Sequence, residues 1–287
     1  MTKINKQPTI KLGVLGKSLA HSLSPEIHTY LLKKLDIPGT YEKYEITEEE
    51  VSGVIPMMIR ENILGMNVTI PYKETLFHLV DEVDKHAKAI GAINTIKIKN
   101  GISYGYNTDY IGGICMFKNQ NVVLKDREIV ILGSGGSTKA LIYGFHLEGA
   151  KKITVAARNQ KACLELKQQF PMIDICDLKE LSGSHAKNPV RGDILVNTTP
   201  VGMFPNVDES PVSKETLKGF SIAGDIVYNP LMTKFLTLSK GQGLQVVTGL
   251  SMLINQGIAA EEIWLERGID YSLSAEIAAL PSLVTKT

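Results

Sequence analysis

The second half of the chain repeats one arrangement: a short unbroken apolar run, a turn, then a helix-length segment. "EIVILGSGG", "KITVAAR", "DILVNTT", "FSIAGDIVYNP" and "LQVVTG" carry the runs. A strand with no polar alternation must be covered on both faces. Short strands alternating with helices provide that cover as a parallel, doubly wound α/β sheet. The first run leads into "GSGGSTKA", so Gly133, Gly135 and Gly136 stand between a strand and a helix. Such a loop turns the chain tightly and leaves free backbone N–H groups, with a helix N-terminus, facing an anion such as a pyrophosphate. The third glycine of the usual dinucleotide fingerprint is replaced by Thr138. Strand, loop and helix together predict nucleotide binding.

The next strand bears on which nucleotide. An NAD-preferring fold usually carries an acid about 20 residues after the glycines, bonded to the ribose 2′-hydroxyl. Here "KITVAARNQK" has no acid at the strand end; it has Arg158, with Lys161 close by. A guanidinium there pairs with a 2′-phosphate through charge-assisted hydrogen bonds, so NADP is the expected cofactor, with NAD left open. The plain alternative is an exposed arginine in a solvated loop.

The first half also alternates strands and helices. "IKLGVLG" (10–16) reads as a strand, followed by a helix with Ser24 at the N-cap, Pro25 at the first helical position, and Ile27, Leu31 and Leu35 on one face. Residues 40–46 read as a second strand. Thr47 and Glu50 form a capping box for a helix in which Pro56 predicts a kink or an early break. "ILGMNVTI" (63–70) reads as a third strand stopped by Pro71, and another helix ends at Gly91. Asn100-Gly101 between alternating segments predicts a hairpin with a type I′ turn. "LSMLINQGIAAEEIWLERG" reads as one amphipathic helix with Leu253, Ile254, Ile258 and Trp264 apolar. It follows the last strand, so it is free to pack back on the first half.

At 287 residues the chain suits two domains, and 31 basic against 30 acidic residues leave a net charge of +1. No global field recruits nucleic acid or an anionic membrane. Cys115, Cys163 and Cys176 show no metal-ligand spacing, and no metal is expected. The start "MTKINKQPTIKLGV" lacks the apolar stretch of a signal peptide and no segment approaches a membrane span, which points to the cytoplasm.

Polar groups gather at the strand ends of the first half, in "AHSLSP", "NVTIPYKE", "AINT" and "NTD". One at a time each has a plain explanation. Ser24 reads as a helix cap, Asn94 and Asn107 as turn residues, Asp109 as a cap for the following helix, Lys73 as a solvated lysine. His21 and His28 read as packing or hydrogen-bonding groups near a helix start.

Together they match a family. "HSLSP", "NVTIPYK", "AINT", "GYNTD", "GSGG", "NTTPVGM", "DIVYNPLMTKF" and "GLSMLINQG" occur in the order in which the shikimate dehydrogenase family carries its motifs, and the resemblance runs from about residue 10 to 267. The resemblance implies a reversible NADPH-dependent reduction of 3-dehydroshikimate to shikimate in the shikimate pathway, on the way to chorismate and the aromatic amino acids. It implies a substrate-binding domain over 1–108, a Rossmann domain over 109–248 and a C-terminal helical segment over 249–287 returning to the first domain, with the active site in the cleft. It makes Lys73 and Asp109 the catalytic pair. Ser22, Ser24, Asn67, Thr69, Asn94, Tyr228 and Gln256 become substrate residues. Gly133, Ser134, Gly135, Gly136, Ser137, Arg158, Lys161, Thr199, Met203, Ile226 and Gly249 become cofactor residues. A monomer or homodimer is expected.

The family's "NRTxxR" reads "ARNQKA" here, so Arg158 is kept while Ala157, Asn159 and Ala162 depart. That departure keeps a quinate/shikimate dehydrogenase with dual NAD/NADP use as an alternative. A non-catalytic regulatory protein on this fold predicts a broken Lys–Asp pair, and a methyltransferase predicts an acid after the second strand; neither is seen.

Overall fold

The computed structural model describes residues 9–181 and 190–284. The chain divides into two units, Met1–Thr108 with Gly257–Leu283, and Asp109–Gln256 with Val284–Thr287.

The first unit contains β1 (Ile10–Gly16), α1 (Ser24–Lys34), β2 (Gly39–Glu45), α2 (Val54–Arg60), β3 (Gly65–Val68), α3 (Lys73–Phe77), β4 (Glu82–Val83), α4 (Lys85–Ile90), β5 (Thr95–Lys99) and β6 (Ile102–Tyr106). The strands form one sheet in the order β2-β1-β3-β5-β6-β4. It is mixed: β1 runs parallel to β2 and β3, whereas β5 is antiparallel to both β3 and β6. The antiparallel turn follows from Asn100-Gly101, whose φ values of 54° and 77° match the twist of a two-residue hairpin. One hydrophobic cluster joins Leu12, Val14, Leu32, Tyr41 and Trp264, and a second joins Leu15, Met58, Met66, Val68 and Tyr72, so apolar side chains cover both faces.

The second unit opens with α5 (Asp109–Lys118), followed by β7 (Glu128–Leu132), α6 (Gly136–Leu147), β8 (Lys152–Ala157), α7 (Gln160–Gln169), β9 (Asp174–Asp177), β10 (Ile194–Asn197), α8 (Lys214–Leu217), β11 (Ile222–Asp225), α9 (Lys234–Gly241) and β12 (Gln245–Val247). All six strands are parallel, in the order β12-β11-β10-β7-β8-β9. The chain leaves β7 in one direction and returns to its other side at β10. At such a switch point the loops beyond the strands' carboxyl ends diverge and open a crevice for a ligand. The helix α10 (Leu250–Leu265) follows, then α11 (Leu273–Ala278) and α12 (Pro281–Val284). From Gly257 onward α10 belongs to the first unit, where the Trp264 indole N–H donates to the Ile96 carbonyl at 2.9 Å.

Several local expectations are corrected. The cap of α1 is Leu23; Ser24 is already helical, and its backbone N–H donates to Ser22 Oγ at 3.4 Å. The first turn closes one residue early because the Ile27 N–H reaches the Leu23 carbonyl, and Leu23 is anchored by burial. β3 ends at Val68. Thr69 accepts the Tyr72 N–H and Ile70 is 74% exposed, so a turn has begun before Pro71 is reached. Thr47 N–H does meet Glu50 Oε2 at 2.7 Å, but residues 51–53 form a 3₁₀ turn and α2 starts at Val54. Pro56 then falls in the first turn of α2, where a missing N–H forfeits little.

Candidate active site

At the strand ends of the first unit, Tyr41, Asn67, Asn94, Thr95 and Thr108 form one connected hydrogen-bond network. Tyr41 O–H donates to Asn67 Oδ1 at 2.7 Å. With its oxygen taken, the Asn67 amide directs Nδ2 toward the Asn94 carbonyl (3.4 Å) and Thr95 Oγ1 (3.2 Å). Asn94 Oδ1 accepts the Thr108 N–H at 2.7 Å and the Thr95 hydroxyl at 3.0 Å. Asn107 Nδ2 donates to the Ala92 carbonyl at 3.0 Å. Asn67, Asn94, Thr95, Asn107 and Thr108 are all buried, and a buried network whose members satisfy one another is rigid.

Lys73, expected just beyond a strand end, is the first residue of α3 and half-buried. Its carbonyl accepts the Ile93 N–H at 3.0 Å, which ties the start of α3 to the segment carrying Asn94. Thr69 is half-buried and its N–H donates to the Leu15 carbonyl, while Ser22 and Ser24 sit at the start of α1.

Beneath this surface lies a group of side chains that inspection of the sequence did not connect. The Tyr41 ring stacks on His28 with centroids 4.2 Å apart, and His28 Nδ1 lies 2.9 Å from Glu261 Oε1, both side chains fully buried. Burial, with the nearby Glu261 charge, pushes the Tyr41 hydroxyl well above its ordinary range. Tyr41 therefore stays a neutral donor, and this sets which way the Asn67 amide faces.

In the second unit the glycines of the loop after β7 serve different ends. Gly133 has φ +116°, and a Cβ there would lie 2.6 Å from Thr198 Oγ1, so the fold itself demands glycine. Gly135 has an ordinary φ of −92°, and a Cβ would meet no atom within 4 Å. Its bareness leaves backbone open at the N-terminus of α6, the cradle a dinucleotide pyrophosphate requires. Thr138, in place of the third glycine, is buried with its hydroxyl 2.8 Å from Thr198 Oγ1. Ser134 and Ser137 are half-buried in this loop, with Gly136 opening α6. Beyond β8, Arg158 and Lys161 are exposed, and Asn159 Oδ1 caps α7 by accepting the Ala162 N–H at 3.2 Å. These residues fit NADP: bare backbone for the pyrophosphate, exposed cations for a 2′-phosphate.

Two loops leave the adjacent ends of β10 and β11, where Asn197 is in register with Asp225. Asn197 Oδ1 accepts the Thr199 N–H at 3.0 Å and the Thr199 hydroxyl at 2.6 Å, and Nδ2 donates to Asp225 Oδ1 at 3.0 Å. Asp225 also accepts the Val227 N–H at 3.0 Å and the Thr233 hydroxyl at 2.7 Å. Burial pushes its carboxyl up to about 7, against the pull of those donors. Met203 is 46% exposed on the first loop, with Ile226 and Tyr228 half-buried on the second. Gly249 is packed so closely that a Cβ would lie 2.4 Å from the Ile226 carbonyl oxygen. In this unit Asp109 is the first residue of α5 and buried, and Gln256 is buried with Nε2 donating to the Leu253 carbonyl at 2.9 Å.

Residues 14–96 match the family described as shikimate dehydrogenase substrate binding domain. A shikimate dehydrogenase (NADP(+)) of Clostridium beijerinckii is 40% identical over 262 residues, which span 91% of this chain and 94% of that protein. The chain belongs to the shikimate dehydrogenase family. Solved shikimate dehydrogenases share the fold. That of Peptoclostridium difficile superposes with a TM-score of 0.85 at 39% identity, covering 93% of this chain and 96% of its own. That of Thermus thermophilus, in complex with NADP(H) and shikimate, gives 0.83 at 33% identity, covering 94% and 98%. No helix among the described residues is long and apolar enough to cross a membrane.

Tyr41, Thr95, Thr108, Asn197 and Asp225 were not singled out in the sequence. Asn197 and Asp225 stand inside "NTTPVGM" and "DIVYNP", so the signal for these two was present; their pairing was not, because 28 residues separate them.

Proposed function

We propose that this member of the shikimate dehydrogenase family catalyses the reversible NADPH-dependent reduction of 3-dehydroshikimate to shikimate. The observation that carries the reading is the match, across more than nine-tenths of the chain in sequence and in fold, to enzymes named for that activity. NADPH, when bound, supplies the hydride; the chain's own residues bind, orient and move the proton. Lys73 places an ammonium at the carbonyl oxygen, where negative charge develops, and gives that oxygen its proton. Asp109 supplies the carboxylate of the catalytic pair.

Ser22, Ser24, Thr69 and Tyr228 hold the substrate carboxylate region through hydroxyls and the N-terminus of α1. Asn94 and Gln256 bind ring hydroxyls, and Asn67 keeps Asn94 in place through the network of Tyr41 and Thr95. Gly133 to Ser137 take the pyrophosphate, Arg158 and Lys161 the 2′-phosphate. Thr199, Met203, Ile226 and Gly249 face the nicotinamide. We assign residues 1–108 to the substrate, 109–248 to the cofactor, and 249–287 to a segment returning to the first. We place the enzyme in the cytoplasm, a reducing home that suits its free cysteines Cys115, Cys163 and Cys176.

A quinate/shikimate dehydrogenase using either cofactor is the second reading. It is favoured by the loop beyond β8, where Asn159 Oδ1 caps α7 and Ala157 is buried, so that Arg158 and Lys161 are the groups left to distinguish a 2′-phosphate. Purified protein supplied with shikimate or quinate, and with NADP⁺ or NAD⁺, decides both readings from the absorbance of the reduced nicotinamide. Reduction of NADP⁺ by shikimate is expected. No signal with shikimate and either cofactor overturns the assignment, and equal rates with quinate and NAD⁺ favour the second reading.

A further inference from the structure

We propose that Asp225 is a positioning residue for the nicotinamide half of the cofactor, acting through the two loops it joins rather than by touching the ligand. The inference rests on the cofactor roles proposed above for Thr199, Met203, Ile226 and Gly249. Thr199 and Met203 follow β10, Ile226 follows β11 and Gly249 follows β12, and nothing in a parallel sheet's ladder fixes how the loops beyond it stand relative to each other. Asp225 supplies that link. One oxygen accepts Asn197 Nδ2 from the end of β10 and the Val227 N–H from its own loop. The other accepts the Thr233 hydroxyl, which also caps α9 by accepting the Leu236 N–H at 3.3 Å.

Asn197 passes the constraint onward. Its Oδ1 holds the backbone and the hydroxyl of Thr199, and its Nδ2 faces the Val201 carbonyl at 3.3 Å. The third segment is locked by backbone contact: a Cβ at Gly249 would lie 2.4 Å from the Ile226 carbonyl oxygen and 2.8 Å from the Asp225 backbone carbonyl oxygen. The carboxylate is fully buried, and the three side-chain and backbone groups that meet it are neutral donors, so among the described residues no cation accounts for its presence. A buried acid held only by neutral donors is costly to keep unless those bonds fix something the fold needs. What they fix here is the wall formed by residues 197–203, 225–233 and 249. The Arg158 segment shares none of these bonds, and the glycine loop after β7 meets the wall through Thr198, whose hydroxyl lies 2.8 Å from Thr138 Oγ1, not through Asp225 or Asn197. Asp225 therefore positions the nicotinamide half and leaves the adenosine half alone.

The test separates the halves. NADP⁺ and adenosine 2′,5′-bisphosphate, which carries only the adenosine half, are titrated calorimetrically into the full-length wild type, Asp225→Ala, Asp225→Asn and Thr233→Val. Removing the carboxyl leaves its buried donors unpaired and loosens both loops, so Asp225→Ala should weaken NADP⁺ at least ~10-fold while the bisphosphate changes less than ~2-fold. Asp225→Asn keeps an oxygen for Asn197 and Val227 and should recover most of the loss; Thr233→Val should fall between. Unchanged NADP⁺ binding in Asp225→Ala, or equal weakening of both ligands, overturns the inference. If Asp225→Ala does not fold, Thr233→Val carries the same comparison, and no selective loss of NADP⁺ overturns it. A wild type that binds neither ligand sinks the cofactor reading itself, and the inference with it.

Discussion

Lys73 takes its position from a turn rather than from a strand end. β3 stops at Val68, the turn at 69–72 follows, and the Lys73 carbonyl is held by the Ile93 N–H, so the ammonium is presented from the first residue of a five-residue helix. Removing it takes away a proton donor while leaving the glycine loop untouched. Lys73→Ala is expected to lower kcat about 10³-fold and to change the NADP⁺ Kd less than ~3-fold, as general acid catalysis typically contributes 10²–10⁴-fold. Steady-state kinetics beside calorimetry reads both numbers, and losses of similar size in each would remove Lys73 from the chemistry. Tyr41 supplies a finer test. Without the Tyr41 hydroxyl Asn67 Oδ1 loses its donor and the amide is held through Nδ2 alone, so Tyr41→Phe should raise the KM for shikimate several-fold at an unchanged NADP⁺ Kd, with about 1 kcal/mol of stability lost. An unchanged KM would show that the network does not set the substrate site. Lys73 could be picked from the sequence because it stands in a motif. Tyr41 could not: its partners His28, Asn67 and Glu261 come from three distant segments, and a tyrosine in "TYEKYEI" looks like any strand residue.

At the scale of the element, the glycine loop makes two demands that the letters "GSGG" do not separate. Gly133 meets both a left-handed φ and a close Thr198, whereas Gly135 meets neither. Gly133→Ala should cost at least about 2 kcal/mol of stability through strain alone. Gly135→Ala should change stability by less than ~1 kcal/mol, yet weaken NADP⁺ ~10-fold or more by placing a methyl where the pyrophosphate meets the backbone. Thermal unfolding and cofactor titration of the two variants check this, and a Gly135→Ala variant that binds as the wild type would remove the cradle. The strands read from sequence have local causes, among them apolar runs for β1, β7, β8, β10, β11 and β12, and Asn100-Gly101 for the β5–β6 hairpin. β9, "DICD", is four residues with acids at both ends and takes its place only by pairing with β8. β3 was read too long because Ile70 is apolar, yet it sits in a turn facing water; hydropathy does not show where a ladder loses its partners.

For the whole molecule, two carboxyls pull the pH dependence of stability in opposite directions. Lys97 and Lys99 hold Glu266 down from 4.5 to about 2, and its contribution is present above the unfolded value and lost as pH falls toward 2. Asp225 runs the other way, because burial raises it from 3.8 to about 7. Between those two values the folded chain holds a proton that the unfolded chain has released. Stability is therefore greatest on the acid side of that window and falls as pH rises through about 7. Above that pH the dependence on Asp225 ends. The protonated form fits the site, since Oδ2–H can donate to Thr233 Oγ1 while Oδ1 still accepts from Val227 and Asn197. Asn at 225 copies that form at every pH. Urea unfolding of wild type and Asp225→Asn should thus give curves that separate by up to about 3 kcal/mol in favour of the variant between pH 5 and pH 8, at roughly 1.4 kcal/mol per pH unit over the two units of the window crossed. Comparing the two proteins cancels Glu266 and every other shared group. Parallel curves across that range would mean that Asp225 is ionised in the fold as readily as out of it, and that its three donors, not its burial, govern its charge.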